Sequence, residues 1–330
     1  MSEKSIPLCH ACKKRPAVTY KQLDGRYLCV QCFSRWVIKT VKRTIKEGEF
    51  FKRDDRIVVG LSGGKDSTVL LHALNIIEKD FPSELIAICI DEGIAGYRDD
   101  ALPIAEATAK KLDIEFKLFS FKELFRYSLD ELVSRSRELQ KTLPASGETK
   151  IVHHLPCSFC GVFRRKALNI AAREVDGDII TTGHNLNDVS QTILLNLLRG
   201  DANRFLLQKT APPKAIHPLL IPRVKPLQAV AERDVVLYAF YNQLEYHTTE
   251  CPYAVEAMRL DVRNFLSKME HQYPGTLHCI RNAKNTIAEQ LPLNQFATDK
   301  ELQLCQQCGE PASAPLCRGC RMLNHLFPDS

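Results

Sequence analysis

The chain has 330 residues, enough for one large domain or two modest ones at roughly 100 to 200 residues each, and its 45% apolar and 25% charged composition excludes wholesale disorder. Forty-five Lys+Arg against 39 Asp+Glu leave a net charge of +6, mild for a nucleic-acid binder. An N-terminus without an apolar segment (MSEKSIPLCH) and the lack of any apolar run of about 18 residues argue against secretion and membrane insertion, so the 13 cysteines are expected in a reducing cytoplasm, serving metals or redox chemistry rather than disulfides.

The first elements are two Cys-x-x-Cys knuckles, Cys9/Cys12 and Cys29/Cys32, with 16 residues between them. That lies within the window of about 15 to 20 residues in which two knuckles place four thiolates around one zinc ion. Within and after this module Lys13, Lys14, Arg15, Lys21, Arg35, Lys39, Lys42, Arg43 and Lys46 are interleaved with Tyr20, Tyr27, Phe33 and Trp36. Such a stretch is a candidate RNA-backbone contact, with a solvated helix face as the competing reading.

Arg56–Leu61 is a short β-branched run, followed by a Ser/Gly turn and a helical stretch over Thr68–Leu74. Leu85–Ile90, ending at Asp91, Glu115–Phe119 and Asp178–Gly183 are further strand candidates, the last leading into a helix near Asp188–Arg199. Residues 140–156, with Pro144, Gly147 and Pro156, are expected to form an exposed loop, and the proline-rich stretch 209–226 an irregular or edge segment. Val230–Asn242 and Ala254–Met269 have helical composition. Cys305, Cys308, Cys317 and Cys320 repeat the four-cysteine zinc pattern with 8 residues between knuckles. Strands alternating with helices predict an α/β fold, a doubly wound parallel sheet flanked by N- and C-terminal zinc modules, with ligands at the carboxyl ends of the strands near Ser62, Asp91 and Gly183. The expected divisions are 1–50, a zinc module with a basic linker, 51–290, a catalytic domain, and 291–330, a second zinc module.

Ser62-Gly63-Gly64-Lys65-Asp66-Ser67 lies between a strand and a helix, where glycines permit a tight bend and the first N–H groups of the helix face an anion. The Walker pattern is excluded, since Val59 stands where it needs Gly and Asp66 where it needs Ser or Thr. Gly60-Leu61-Ser62 likewise breaks the dinucleotide G-x-G. SGGKDS after a hydrophobic strand resembles the pyrophosphate loop, or PP-loop, of ATPases that cleave ATP between the α- and β-phosphates. That resemblance implies that Ser62, Gly63, Gly64, Lys65 and Ser67 stabilise the departing pyrophosphate, with Asp66 helping to place Mg2+.

Cys157 and Cys160 have no second knuckle nearby, and only Cys89, Cys251 and Cys279 remain as partners. Cys89 lies in an apolar strand and is expected in the core. Cys279 has no chemical context that assigns it, and Cys251 differs in following Thr248-Thr249-Glu250 and preceding Pro252, at the break between an apparent helix pair. Spacing alone fits an iron–sulfur cluster, a third zinc site or a redox pair equally.

The segments DEGIAGYRD (91–99), CSFCGVFRR (157–165), GHNLND (183–188) and ECPY (250–253) resemble the tRNA 2-thiouridine synthetases of the TtuA and cytoplasmic tRNA 2-thiolation type, and the similarity extends from Cys9 to Cys320. This implies a cytoplasmic tRNA sulfurtransferase that adenylates the C2 oxygen of a uridine and replaces it with sulfur. Cys157, Cys160 and Cys251 would carry a [4Fe-4S] cluster with one open iron. The nucleotide would lie against Gly60, Leu61, the loop, Ile90, Arg164 and Gly183. Asp188, Lys65 and Asp66 would be catalytic, Asp188 as a base. Two Zn2+, Mg2+ and ATP complete the set. A ubiquitin-like thiocarboxylated carrier or free sulfide would supply sulfur, and a homodimer is implied by analogy. CGVFRR matches the branch acting on the wobble uridine and ECPYAVEAMRLD the T-loop branch. His153, His154 and His184 are expected not to be metal ligands. The competing functions are a lysidine-type PP-loop ligase and a non-catalytic zinc or ATP RNA-binding scaffold.

Overall fold

A computed structural model describes residues 6–142, 156–207, 216–253, 257–290 and 302–328. In chain order, a hairpin of β1 (Thr19–Lys21) and β2 (Arg26–Leu28) precedes α1 (Val30–Glu47). Then come β3 (Arg56–Gly60), α2 (Lys65–Glu78), β4 (Glu84–Asp91), α3 (Arg98–Lys111), β5 (Glu115–Ser120), α4 (Phe121–Phe125), α5 (Leu129–Thr142) and α6 (Pro156–Glu174). The second half carries β6 (Ile179–Thr181), α7 (Leu186–Leu198), α8 (Ala202–Leu207), β7 (Arg223–Val224), α9 (Glu232–Tyr241), α10 (Ala257–Gln272) and α11 (Thr276–Gln290). The chain closes with β8 (Gln303–Leu304), β9 (Pro311–Ala312) and α12 (Arg318–Leu326).

The central sheet has the order β5-β4-β3-β6-β7, every neighbouring pair parallel. β3, the first strand of this sheet in chain order, is flanked by β4 on one side and, after the chain has passed through β5, by β6 on the other. The strand order therefore reverses between β3 and β6, and the crevice beyond their carboxyl ends is where such sheets bind ligands. Side chains alternate between the faces, as the twofold period of a strand requires. Ile57, Val59, Ala87, Cys89 and Ile179 enter one core with α1, α2 and α9, and Val58, Ile86, Ile88 and Ile180 enter the other with α6 and α12. Both faces are covered, which is why these strands are continuous apolar runs.

The expected strands are present, with Leu61 and Gly183 lying just beyond theirs. The proposed loop over 140–156 is corrected at its edges: Gln140–Thr142 end α5 and Pro156 opens α6, while the rest, with His153 and His154, lies outside the described residues. Of the segment 209–226, residues 209–215 lie outside the described residues, and the rest carries edge strand β7 between Pro222 and Pro226, a position where a missing N–H is tolerated. Cys9, Cys29, Phe33, Val37 and Val41 belong to the same buried cluster as Val59 and Leu70, so the N-terminal module shares the core of the sheet.

Candidate active site

The loop after β3 is built by short-range contacts that its sequence dictates. Gly63 has φ +82°, and a Cβ there would lie 2.4 Å from the carbonyl oxygen of Ala101, so only glycine fits. Ser67 Oγ accepts the Ser62 N–H at 3.1 Å and donates to the Gly64 carbonyl at 3.0 Å, closing the loop on the first turn of α2. The first N–H groups of a helix have no intrahelical partner, which suits the start of α2 to an anion. The loop after β6 presses against it: a Cβ on Gly183 would come within 2.8 Å of the Ser67 nitrogen. Lys65 Nζ lies 2.8 Å from Asp66 Oδ2 and 3.0 Å from Glu232 Oε1, while Asn185 Nδ2 donates to Asp66 Oδ1 at 2.9 Å.

The same Asn185 caps α7. Its side chain accepts the N–H groups of Asn187 and Asp188, and Asp188 Oδ2 accepts the Asn185 N–H at 3.2 Å. This reciprocal pair fixes Asp188 at the start of α7, beside a cavity of about 330 Å3. The proposed site residues Gly60, Leu61, Ser62, Asp66, Ser67, Ile90, Arg164, Gly183 and Asp188 line that cavity, together with Ile88, Glu92, Leu168, Thr182, His184 and Arg259. Gly63 and Gly64 contribute loop backbone, and Lys65 is turned toward Asp66 and Glu232.

Charge within the cavity is arranged by burial. Removal from water raises the Asp188 carboxyl above its ordinary value, opposed by the Asn185 N–H and by Arg259, whose guanidinium lies 3.5 Å away. The His184 imidazole is lowered, first by loss of solvent and then by Lys225, Arg259 and Arg164, so the ring is neutral near pH 7 and bonds Thr182 Oγ1 at 2.8 Å. Arg98 and Glu92, each 3% exposed, form an ion pair at 3.0 Å. Arg98 also donates to the carbonyls of Ser62 at 3.1 Å and Ile90 at 2.8 Å, tying the phosphate loop to the end of β4. The other carboxylate oxygen of Glu92 takes Arg164 Nε at 2.7 Å, and Arg164 Nη2 reaches Cys160 Sγ at 3.0 Å. One buried carboxylate thus connects the phosphate loop to a cysteine.

The three middle cysteines converge on this point from two elements. Cys157 and Cys160 sit on the first turns of α6, and Cys157 Sγ donates to the Tyr253 carbonyl at 3.0 Å, two residues past Cys251. Cys160 and Cys251 pack against one apolar cluster. The segment leading to Cys251 is pinned to the phosphate loop, since the His247 N–H donates to the Gly63 carbonyl at 2.8 Å. Cys89 is fully buried, as expected, and accepts from Arg98 Nη2 at 3.1 Å, and Cys279 is exposed on α11.

The terminal cysteines form two compact groups, Cys9, Cys12, Cys29, Cys32 and Cys305, Cys308, Cys317, Cys320, whose sulfurs all lie within 4.8 Å of one another within each group. Burial pushes the Cys9 thiol up, but the N–H groups of Cys29, Cys12 and Ala11 more than offset this and bring it down to about 6. Cys305 is brought to about 6 in the same way by the N–H groups of Cys317, Gln307 and Cys308. Cys9 and Cys305 are thereby favoured as thiolate, the form a metal needs, while burial raises Cys32, Cys317 and Cys320. Cys157, Cys160 and Cys251 are not drawn into such a tight group.

The PP-loop domain family matches residues 35–141. Cytoplasmic tRNA 2-thiolation protein 1 of Dictyostelium discoideum is 34% identical over 98% of this chain and 85% of its own length. The tRNA 2-thiolation protein NcsA of Haloferax volcanii is 35% identical over 96% of this chain and 98% of its own. The chain belongs to the tRNA 2-thiolation protein family. Its fold agrees with that of a solved relative, the U34-tRNA thiolase NcsA from Methanococcus maripaludis with its [4Fe-4S] cluster, at 30% identity and TM-score 0.78 over 97% of this chain and 96% of that one.

Within the quoted segments, several residues in and beside this cavity have no role assigned to them from the sequence. Glu92 and Arg98 lie inside DEGIAGYRD, where composition does not distinguish them from a solvated loop. Arg259 lies within ECPYAVEAMRLD, but nothing in that segment indicates that α10 brings it to Asp188. In the N-terminal module the basic and aromatic reading is corrected in part: Lys21 is buried, paired with Asp24 at 3.3 Å and placed 3.4 Å from the centre of the Trp36 ring, and Phe33 is in the core. These residues stabilise the module and are not free for RNA.

Proposed function

We propose that this protein is a tRNA-uridine 2-sulfurtransferase acting on the wobble uridine, as the U34-thiolase activity of its solved relative and its own CGVFRR segment suggest. The observation that carries the reading is Arg164, which lines the phosphate cavity, pairs with Glu92 and touches Cys160. Nucleotide activation and sulfur delivery meet at that one side chain.

ATP lies with its phosphates on the N–H groups of Gly63–Ser67, where the start of α2 favours negative charge. The uridine C2 oxygen attacks the α-phosphorus, forming one O–P bond as the bond to pyrophosphate breaks. Lys65 and Ser67 stabilise the charge gathering on pyrophosphate, and Asp66, oriented by Asn185, helps to hold Mg2+. Asp188 accepts the N3 proton as the C2 oxygen becomes nucleophilic. Sulfur then adds at C2, AMP leaves with the former C2 oxygen, and a proton from sulfide returns to N3.

Cys157, Cys160 and Cys251 suit a [4Fe-4S] cluster better than a single zinc ion, because three sulfurs less tightly drawn together than those of the terminal groups match a larger body. When bound, such a cluster supplies an open iron position that can carry sulfur. The two terminal groups hold structural zinc.

Protein reconstituted without oxygen, with ATP, Mg2+ and sulfide, is expected to convert tRNA uridine to 2-thiouridine at the wobble position, read by mass spectrometry of digested tRNA. Cys251→Ala is expected to abolish the product while ATP still binds. Full activity of that variant, or product formed without ATP, overturns the mechanism. A thiocarboxylated carrier in place of sulfide tests the physiological donor.

A further inference from the structure

A second cavity, of about 420 Å3, lies on another side of α6, between that helix, the stretch before β7 and the C-terminal four-cysteine module. Val162, Leu220, Ile221 and Pro222 give it an apolar floor, and Arg165, Arg223 and Arg318 bring three guanidinium groups to it from three separate parts of the chain. Glu310 is the one carboxylate among its described lining residues, and Arg173 occupies it through two hydrogen bonds. None of the three arginines has an ion-pair partner among the described residues, although Arg223 Nη2 donates to the Arg165 carbonyl.

Three cations gathered at one cavity, none with an ion-pair partner among the described residues, disfavour one another's charge, and a bound anion relieves that repulsion. The pKa values respond in that direction. Arg223 is brought down to about 10 by burial and by Arg165, with no carboxylate opposing, and Arg165 is lowered by burial, then by Arg318 and Arg204. A guanidinium presents a planar fork that matches phosphate oxygens, and an apolar floor suits a ribose or an unstacked base. The volume lies within the range of pockets that hold one small ligand. The cavity is also continuous in sequence with the candidate active site: Arg164 faces the nucleotide cavity and Arg165, the next residue of the same helix, faces this one.

We infer that the Arg165–Arg223–Arg318 cavity is a subsite for one backbone phosphate and its nucleotide in the RNA substrate, flanking the uridine presented at the first cavity. The inference rests on the tRNA-thiolation reading. An RNA strand held at both places is gripped on either side of α6, so the arginines anchor the substrate without touching the reacting atoms.

The test is tRNA binding by full-length protein, measured by fluorescence anisotropy over a series of salt concentrations for Arg318→Ala, Arg223→Ala and the surface control Lys110→Ala. Each arginine variant is expected to weaken tRNA binding roughly 10-fold and to lower the slope of log K against log salt by about 1, the effect of one lost phosphate contact. ATP affinity and the control are expected to stay within about twofold of the parent protein. Because Arg223 also bonds backbone, Arg318→Ala, whose side chain is exposed, keeps the test valid should the other fold poorly. Parent-like tRNA affinity and salt slope in Arg318→Ala overturn the proposal. A parent protein that binds tRNA with these slopes but forms no 2-thiouridine instead overturns the thiolation reading and leaves the subsite standing.

Discussion

Asp188 illustrates how a single side chain acquires a role from its surroundings. An exposed aspartate titrates near 3.8, but burial raises this one, Glu232 adds to the rise, and the Asn185 N–H and Arg259 oppose it. A base must be unprotonated to act, so thiolation is expected to fail as the pH drops through this raised value, on the high side of an ordinary aspartate. Replacing Arg259 with Gln removes a charge that favours the carboxylate. The acidic limb of the single-turnover rate is therefore expected to move to higher pH in Arg259→Gln. Asp188→Asn is expected to slow the reaction by roughly 10² to 10⁴ and to flatten that limb. An unmoved limb in Arg259→Gln, read by rates between pH 4.5 and 8 as buffered time courses, contradicts the assignment of Asp188 as base. The GHNLND motif makes Asp188 visible in the sequence, whereas the pairing of Arg259 with it is invisible there, because the contact is made by a helix remote in the chain.

At the scale of one element, α6 joins most of the chemistry. Cys157 and Cys160 open it, Arg164 reaches the nucleotide cavity, Arg165 the second cavity, and Lys166 donates to Cys308 Sγ at 3.1 Å. Its buried face, Phe159, Phe163, Ala167 and Ala171, follows the spacing of a helix packed on a sheet. Phe163 is wholly buried against Phe121 and Phe125, with ring centroids 6.1 and 5.0 Å away. Phe163→Ala is expected to cost about 3 to 5 kcal/mol of stability, measured by denaturant unfolding, because the lost contacts leave a cavity that the sheet cannot fill. A loss below about 1 kcal/mol contradicts the packing described for this helix. The helix went unread as an element in the sequence, since CSFCG marks a metal or redox knuckle more strongly than a helix start. Its apolar face gains meaning only once the sheet it covers is known.

At the scale of the whole molecule, the C-terminal module braces α6. Lys166 reaches its sulfurs, Arg173 binds Glu310, and Gly319 approaches the Phe163 ring so closely that a Cβ would lie 3.4 Å from Cε1. Cys320→Ser is therefore expected to lower the metal content from two zinc ions per chain to one, to increase amide exchange along α6 and to reduce thiolation, read by elemental analysis, hydrogen exchange and product yield. Unchanged exchange in α6 with one zinc lost contradicts the bracing role. The sequence by itself determined the elements whose signals are local: the alternating parallel strands, the SGGKDS turn, and the spacing of the terminal cysteines. Each depends on residues within a few positions of one another, and the chain carries that information as periodicity and spacing. Only the tertiary structure decided which distant groups meet: Glu92 between Arg98 and Arg164, Arg259 beside Asp188, the Cys251 segment pinned at Gly63, and three arginines around the second cavity. Those pairings arise because the sheet order reverses between β3 and β6 and brings loops far apart in sequence to one crevice, an arrangement that follows from packing both faces of the sheet and has no local signature.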